Sequence, residues 1–291
     1  MADAEPWTIG RLLTWTTKYL TDRGSDSPRL DAELLLAQAV GCPRIGLYTS
    51  FDTEPPEPVR TAFRELVKRR ADGTPVAYLL GRREFYSLEF HVTPDVLIPR
   101  PETEFLVISA LDALKRRTGA TRLADIGTGS GIIAITVAKH AKQTHVTAVD
   151  KSPAALGVAR ANAERLGVAD RIEFLESDLL SALPSEQRFD VIASNPPYVS
   201  TAEISTLAAD AARHEPRSAL ESGPLGTEVI ARIIPEAAKR LLPAGELWLE
   251  IGPMRLDAVL ALIAAEPRFE LLPIVKDLAG LARVVGCRLK A

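Results

Sequence analysis

The chain has 291 residues, room for one large domain or two ordinary ones, and at this size a core forms without disulfide or metal staples. With 46% hydrophobic and 25% charged residues it reads as globular, and no run of about 18 apolar residues is present to span a bilayer. A net charge of −3 argues against a protein that holds nucleic acid through many phosphate contacts. The start, Met1-Ala2-Asp3-Ala4-Glu5-Pro6, is acidic and has no apolar h-region, so a signal peptide is not expected and the location reads as cytoplasmic. Cys42 and Cys287 are far apart and read as reduced thiols. His91, His140, His145 and His214 have no ligand spacing, so no metal is expected.

Residues 1–75 read as a helical domain. Ile9, Leu12, Leu13, Tyr19 and Leu20 approximate one helical face. Ser27-Pro28 reads as an N-cap with Pro at N1, opening a helix through Leu30, Leu34, Leu35, Leu36 and Val40 that Gly41 stops. Pro55-Pro56 precedes a third pattern, Val59, Phe63, Leu66 and Val67. Arg60, Arg64 and Lys68 fall four apart there, either as a solvated face or as a contact for an acidic partner or RNA. Residues 76–98 read as a β-hairpin linker. One strand covers Glu84–Val92, Thr93-Pro94-Asp95 turns, and Val96-Leu97-Ile98 pairs back. Pro99-Arg100-Pro101 ends it stiffly and Glu102 begins a helix.

From about residue 120, strands and helices alternate. Strands are expected at Leu123–Ile126, His145–Asp150, Ile172–Glu176, Phe189–Ser194 and Glu246–Ile251, with helices opening near Gly131, Ser152, Thr227 and Met254. That order predicts an α/β domain over 99–291, a parallel sheet with helices on both faces. Two last strands, near Glu270–Val275 and Arg283–Leu289, flank a turn at Asp277–Gly280 and predict an antiparallel hairpin at the sheet edge.

Asp125-Ile126-Gly127-Thr128-Gly129-Ser130-Gly131 follows a strand and opens a helix. Glycines there let the backbone turn tightly and approach a ligand. A dinucleotide loop would carry its third glycine at 132, where Ile132 stands, so the fit is to a methyltransferase loop. The Asp125 carboxylate is placed to meet an ammonium group, directly or through water. Asp150 ends the next strand, where a carboxylate can accept both ribose hydroxyls; helix capping is its alternative, although Ser152 suits that better. Asp178 can accept from an adenine amino group while Leu179 packs on the ring; a plain loop carboxylate is the alternative.

Asn195-Pro196-Pro197-Tyr198 follows the strand Phe189–Ser194. A planar amide or arylamine nitrogen is a poor nucleophile because its lone pair is delocalised. It needs acceptors that fix its plane, and the Asn195 side-chain oxygen and the Pro196 carbonyl can supply them. The two prolines restrict the turn, and Tyr198 can stack on the planar group. A simple turn after a strand is the alternative. With the glycine loop upstream, the pattern points to methyl transfer from S-adenosylmethionine to an amide or amino nitrogen, through positioning and electrostatics rather than a strong base.

On these motifs the chain resembles the HemK/PrmC family of class I S-adenosylmethionine-dependent methyltransferases. The resemblance spans essentially the whole chain. It includes Leu97-Ile98-Pro99-Arg100-Pro101-Glu102-Thr103-Glu104, Glu215-Pro216-Arg217-Ser218-Ala219-Leu220, Leu249-Glu250-Ile251-Gly252 and Asp277-Leu278-Ala279-Gly280. It implies a Rossmann-like, seven-stranded methyltransferase domain behind a helical substrate-recognition part. It implies methylation of the glutamine in the Gly-Gly-Gln loop of class-1 peptide chain release factors. S-adenosylmethionine would sit at Asp125, Gly127, Thr128, Gly129, Ser130, Gly131, Asp150, Asp178, Leu179 and Asn195. The glutamine amide would sit at Asn195, Pro196, Pro197 and Tyr198, with Arg100 and Glu102 near the mouth; for Glu102 and Glu104 a place at a helix start is the alternative. Two departures stand out. Ser222-Gly223-Pro224-Leu225-Gly226 replaces the usual Gly-Gly-x-Asp-Gly, and Arg255 stands where Gln is frequent. The competing readings are an adenine-N6 or other nucleic-acid amine methyltransferase and a binder that retains only the fold. A monomer with no membrane attachment and no stable nucleic-acid partner is expected.

Overall fold

In the computed structural model residues 5–206 and 214–290 are described; the acidic residues 1–4 lie outside them. Two compact units are present, with the main break between Gly81 and Arg82. The first is built from α1 (Ile9–Asp22), α2 (Pro28–Val40), α3 (Arg44–Thr49), α4 (Glu57–Ala71) and α5 (Val76–Leu80). Thr8 caps α1 by accepting from Arg11 N. Pro28 opens α2, and Gly41 ends it in the left-handed conformation at φ 77. Ser27 holds the cap position but makes no capping bond. Leu13, Leu20, Leu35, Leu36, Leu47, Phe63 and Val67 fill the core between these helices. Arg60 and Arg64 of α4 pair with Glu57, and Arg60 also with Glu54, a solvated arrangement that adds little stability.

The second unit opens with a hairpin that differs from the expected one. β1 (Arg82–Phe85) pairs with β2 (Leu88–His91), with Arg82 opposite His91. The turn is Tyr86-Ser87, with φ 50 and 58, the two positive values of a type I′ turn. Asn-Gly usually marks that turn, and Tyr-Ser carries no such sign. Thr93 and Asp95 do form a turn, the Thr93 hydroxyl donating to Asp95 Oδ2, but Val96–Ile98 joins no strand.

After α6 (Thr103–Lys115) the chain alternates through β3 (Thr121–Ile126), α7 (Ile132–His140), β4 (Thr144–Asp150), α8 (Pro153–Arg165), β5 (Ile172–Glu176) and β6 (Phe189–Ser194). Short strands β7 (Val199–Ser200) and β8 (Glu221–Gly223) pair with each other. The helix Glu228–Arg240 leads into β9 (Leu241–Glu250), and the helix Leu256–Ala264 into β10 (Phe269–Leu271), β11 (Val275–Lys276) and β12 (Ala282–Leu289). The sheet order is β10-β12-β9-β6-β3-β4-β5, with β11 also paired to β12. β5, β4, β3, β6 and β9 run parallel; β12 is antiparallel to β9 and to both β10 and β11. The strand expected over Glu270–Val275 is thus two pieces, and Pro273 between them has no N–H for a ladder. The parallel strands are covered on both faces, which explains near-continuous apolar runs such as Phe189–Ser194. One core layer includes Leu106, Ile135 and Trp248; the other includes Ile192, Ile233 and Leu249.

Candidate active site

The chain travels outward from β3 through β4 to β5, then returns to lay β6 against the other side of β3. Loops leaving β3 and β6 diverge at that switch point, which opens a crevice at the carboxyl ends of the strands. A cleft enclosing about 1100 Å³, its open mouth included, lies there. Its wall contains the glycine loop, Asp150, Asp178, Leu179 and Asn195-Pro196-Pro197, so motifs scattered over seventy residues of sequence meet at one place.

Gly127, Gly129 and Gly131 have φ 71, 54 and 85, values that disfavour any residue with a Cβ. A Cβ at Gly127 or Gly129 would meet nothing within 4 Å, so the loop backbone itself faces open space. At Gly131 it would come 2.7 Å from the Ile135 side chain. Asp125 lies beneath the loop rather than in the cleft wall. It is fully buried, and its Oδ2 accepts from the Thr128 hydroxyl at 2.7 Å and from Ala134 N at 3.1 Å. Its Oδ1 has no hydrogen-bond partner. Burial pushes this carboxyl up to about 7, against the pull of those two donors.

Asp150 closes β4 with both oxygens engaged. Oδ2 accepts from Gly129 N and Oδ1 from Ser152 N, each at 2.9 Å, which ties the end of β4 to the glycine loop. Ser152 takes the capping role at α8 by accepting from Ala155 N. Asp178 meets Arg232 Nη2 at 2.6 Å, a largely exposed pair. Leu179 beside it has φ 54, a conformation that costs an L residue about 1 kcal/mol or more.

Ser194 anchors the end of β6 by donating from its hydroxyl to Ile126 O at 2.7 Å. Asn195 follows, and its Nδ2 donates to Thr103 Oγ1 at 3.3 Å. Pro196 is buried and Pro197 half-buried in the wall. Tyr198 stands behind the cleft wall, its ring so near Gly252 that a Cβ there would lie 3.0 Å from it. Burial, with the Glu250 charge adding to it, pushes the Tyr198 hydroxyl up to about 12. Arg255 Nε donates to the Tyr198 carbonyl at 3.2 Å while its guanidinium pairs with Glu203. The departure at 255 therefore supports the turn directly. Leu225, the other departure, is exposed, and Gly226 keeps its positive φ of 75.

Arg100 lines the cleft and donates to the buried Glu215 at 2.6 Å, joining two of the sequence motifs. Glu102 is not in the wall; it precedes α6 and faces Arg283 at 3.7 Å. Further residues complete the site: Asn162 carries no sign in the sequence, and Thr103 and Glu250 lie in motifs of the family resemblance that assign them no role. Asn162 is fully buried on α8, and its side chain accepts from His91 N while donating to His91 O and Ser130 O, stitching the hairpin to the glycine loop. Thr103 backs Asn195. Glu250 ends β9 beside both of them.

Comparison with known proteins gives the same assignment over nearly the full chain. Residues 11–81 match the PrmC N-terminal domain family, and residues 103–227 match the methyltransferase small domain family. The release factor glutamine methyltransferase of Rhodopirellula baltica is 50% identical over 284 residues, covering 97% of this chain and 96% of that protein. That of Geobacter sulfurreducens is 41% identical over 285 residues and 98% of each chain. A crystal structure of a methyltransferase from Pyrococcus furiosus superposes with a TM-score of 0.51 at 21% identity, covering 77% of this chain and 97% of that one, and shares its class I fold. Sequence identity along both units, and a cleft built at the switch point of a class I sheet, place the chain in the release factor glutamine methyltransferase family.

Proposed function

We propose that this chain transfers a methyl group from S-adenosylmethionine to the side-chain amide nitrogen of the glutamine in the Gly-Gly-Gln loop of class-1 peptide chain release factors. The observation that carries the reading is the meeting of Asn195-Pro196-Pro197 with the glycine loop and Asp150 in one cleft.

The residues present fit the donor. The glycine loop offers bare backbone to open space, Asp150 presents a carboxylate at the cleft, and Asp125 keeps one unpartnered buried oxygen below the loop. Gly127–Gly131 would hold the amino-acid end, Asp150 the ribose hydroxyls, and Asp178 with Leu179 the adenine. S-adenosylmethionine supplies, when bound, an electrophilic methyl on a sulfonium. The protein's task is to make an amide nitrogen attack it. Asn195 Oδ1 and the Pro196 carbonyl accept the two amide N–H bonds, which fixes the plane and favours charge growing at nitrogen. Tyr198 is held by Gly252 and Arg255 as a support of this turn. No residue in the wall need act as a strong base, because the nitrogen becomes acidic as it is methylated and gives up its proton late, to water.

Recognition of the protein substrate belongs, on this reading, to the N-terminal helical unit, which runs to Gly81 rather than to residue 75, and the hairpin from Arg82 belongs with the catalytic domain instead of forming a linker over 76–98. Arg100, in the cleft wall, serves the acceptor side, and Glu102, which faces Arg283 outside the wall, drops out of that role. Among the described residues no helix is long and apolar enough to cross a membrane. A cytoplasmic monomer with release factor as its partner is part of the same reading. The test is incubation with methyl-labelled S-adenosylmethionine and, in parallel, an unmethylated class-1 release factor, its Gln→Ala loop variant, and unmethylated DNA or RNA. Label on the wild-type factor alone is expected. Label on nucleic acid alone overturns the substrate assignment.

A further inference from the structure

We propose that Glu250 is the positioning residue that sets the Asn195 carboxamide, turning Nδ2 into the protein and Oδ1 toward the acceptor nitrogen. The inference rests on the reading that the acceptor is a planar N–H donor.

Strand register brings the two side chains together. In the parallel β6–β9 ladder Ser194 lies opposite Leu249, so the next residue of each strand, Asn195 and Glu250, is carried to the same end of the sheet. On its other side Glu250 lies opposite Val284 of β12. Glu250 is 2% exposed. The Thr103 hydroxyl and the Asn195 amide are the donors beside its carboxylate, and both hold its titration down. Thr103 Oγ1 also takes an Asn195 Nδ2 proton at 3.3 Å, so its own proton is free to go to Glu250. Among the described residues Glu250 Oε2 has no hydrogen-bond partner.

Glu246 shows what a merely structural glutamate looks like on the same strand and face. It is as deeply buried, yet Arg116, Arg288 and the Trp248 indole all donate to it at 2.7–3.0 Å. Glu250 has no such arginine bonded to it; the donors it meets come from Thr103 and the amide that faces the cleft. A carboxamide has two nearly isosteric orientations. Only one of them offers an acceptor to an incoming N–H; the other sets two donors against each other. A carboxylate accepts and cannot donate, so it locks the orientation that works. It also draws charge toward Oδ1 along the chain of hydrogen bonds.

The groups facing Glu250 are Glu102 before α6, Tyr198 on the turn and Arg283 on β12. Burial outweighs the donors and Arg283, and the carboxyl is pushed up to about 7. Protonation makes it a donor and removes the lock, so the lock weakens as pH falls through neutrality.

The chain contains only two asparagines, Asn162 and Asn195. Asparagine-selective 15N labelling therefore yields two side-chain amide pairs, and Asn195→Ala assigns them. In the wild type the Asn195 pair is expected to shift with pH around about 7, while the Asn162 pair, held by His91 and Ser130, stays fixed. In Glu250→Gln the shift is lost. Turnover is measured on the same proteins. Glu250→Met, which has no acceptor, is expected to lower kcat on the order of ten- to a hundredfold, with KM for both substrates within about threefold. Glu250→Gln, which keeps one acceptor oxygen, recovers much of that loss. A Met variant that turns over within about twofold of wild type overturns the proposal. If that variant fails to fold, an Asn195 pair that does not respond to pH in the wild type overturns it equally. A wild type that shows the shift but leaves release factor unlabelled refutes the substrate assignment and leaves this lock standing.

Discussion

Removing the Asp150 carboxylate gives the sharpest test of the cofactor side. Its two oxygens each receive one backbone N–H at 2.9 Å, from Gly129 and Ser152, and each retains a further lone pair. Two ribose hydroxyls bonded to an ionised acceptor contribute about 1.5–3 kcal/mol apiece. The site is only half-buried, so the lower figure applies, and the pair contributes about 3 kcal/mol. Asp150→Ala should therefore weaken binding of S-adenosylhomocysteine by about a hundredfold. Isothermal titration calorimetry reads this directly. Thermal unfolding of the ligand-free variant measures the separate cost of the two released N–H groups, expected at roughly 1–2 kcal/mol because water replaces the acceptor. Asp150→Asn should do nearly as badly, since its NH2 faces either Gly129 N–H or Ser152 N–H and sets donor against donor. A folded Ala variant that binds within about threefold of wild type would refute the ribose assignment.

Asn195→Ala should abolish methyl transfer while leaving a folded protein that still binds S-adenosylhomocysteine; substantial residual turnover with release factor would remove Asn195 from the chemistry. Gly252→Ala drives a methyl against the Tyr198 ring at 3.0 Å, tilts the turn and should lower kcat on the order of tenfold with cofactor affinity unchanged. Unaltered kinetics would show that Tyr198 does not brace the site. Burial pushes Asp125 and Glu250 up to about 7, above their unfolded values. The folded state therefore holds protons that the unfolded chain has lost, and this stabilisation is present below the ordinary carboxylate range and disappears as pH rises through about 7. Scanning calorimetry should accordingly find Tm falling between about pH 5 and about pH 8, and Asp125→Asn or Glu250→Gln should each flatten the fall. Parallel pH profiles in wild type and variants would contradict it.

The glycine loop, Asp150 and the Asn195 turn were legible because their chemistry is local. Positive φ demands Gly127, Gly129 and Gly131, and paired prolines restrict the turn after β6 whatever surrounds them. Glu250 and Thr103 were not legible as a support for Asn195. Both lie in motifs of the family resemblance, but nothing in those motifs links one to the other, and only the β6–β9 register and the placing of α6 bring them together. Asp125 reads in the sequence as a ligand for the donor, and the fold commits its Oδ2 to Thr128 and Ala134 under the loop, which leaves Oδ1 alone for that role. The Tyr86-Ser87 turn escaped notice because left-handed backbone at two non-glycine residues leaves no compositional trace. Asn162 looked like an ordinary helix residue, and its function as a fork between His91 and Ser130 exists only in three dimensions.

The parallel ladder between β6 and β9 sets a tolerance for change. Side chains alternate faces along a strand, so one residue inserted or deleted before Glu250 would move it by about 3.3 Å and turn it to the opposite layer. The inserted strand could still fill its core with Leu247, Trp248 and Leu249 in new positions, and a folded protein with a misdirected Asn195 would result. On the proposed role of Glu250, the count of residues from Leu247 to Glu250 is therefore fixed by catalysis as firmly as by packing.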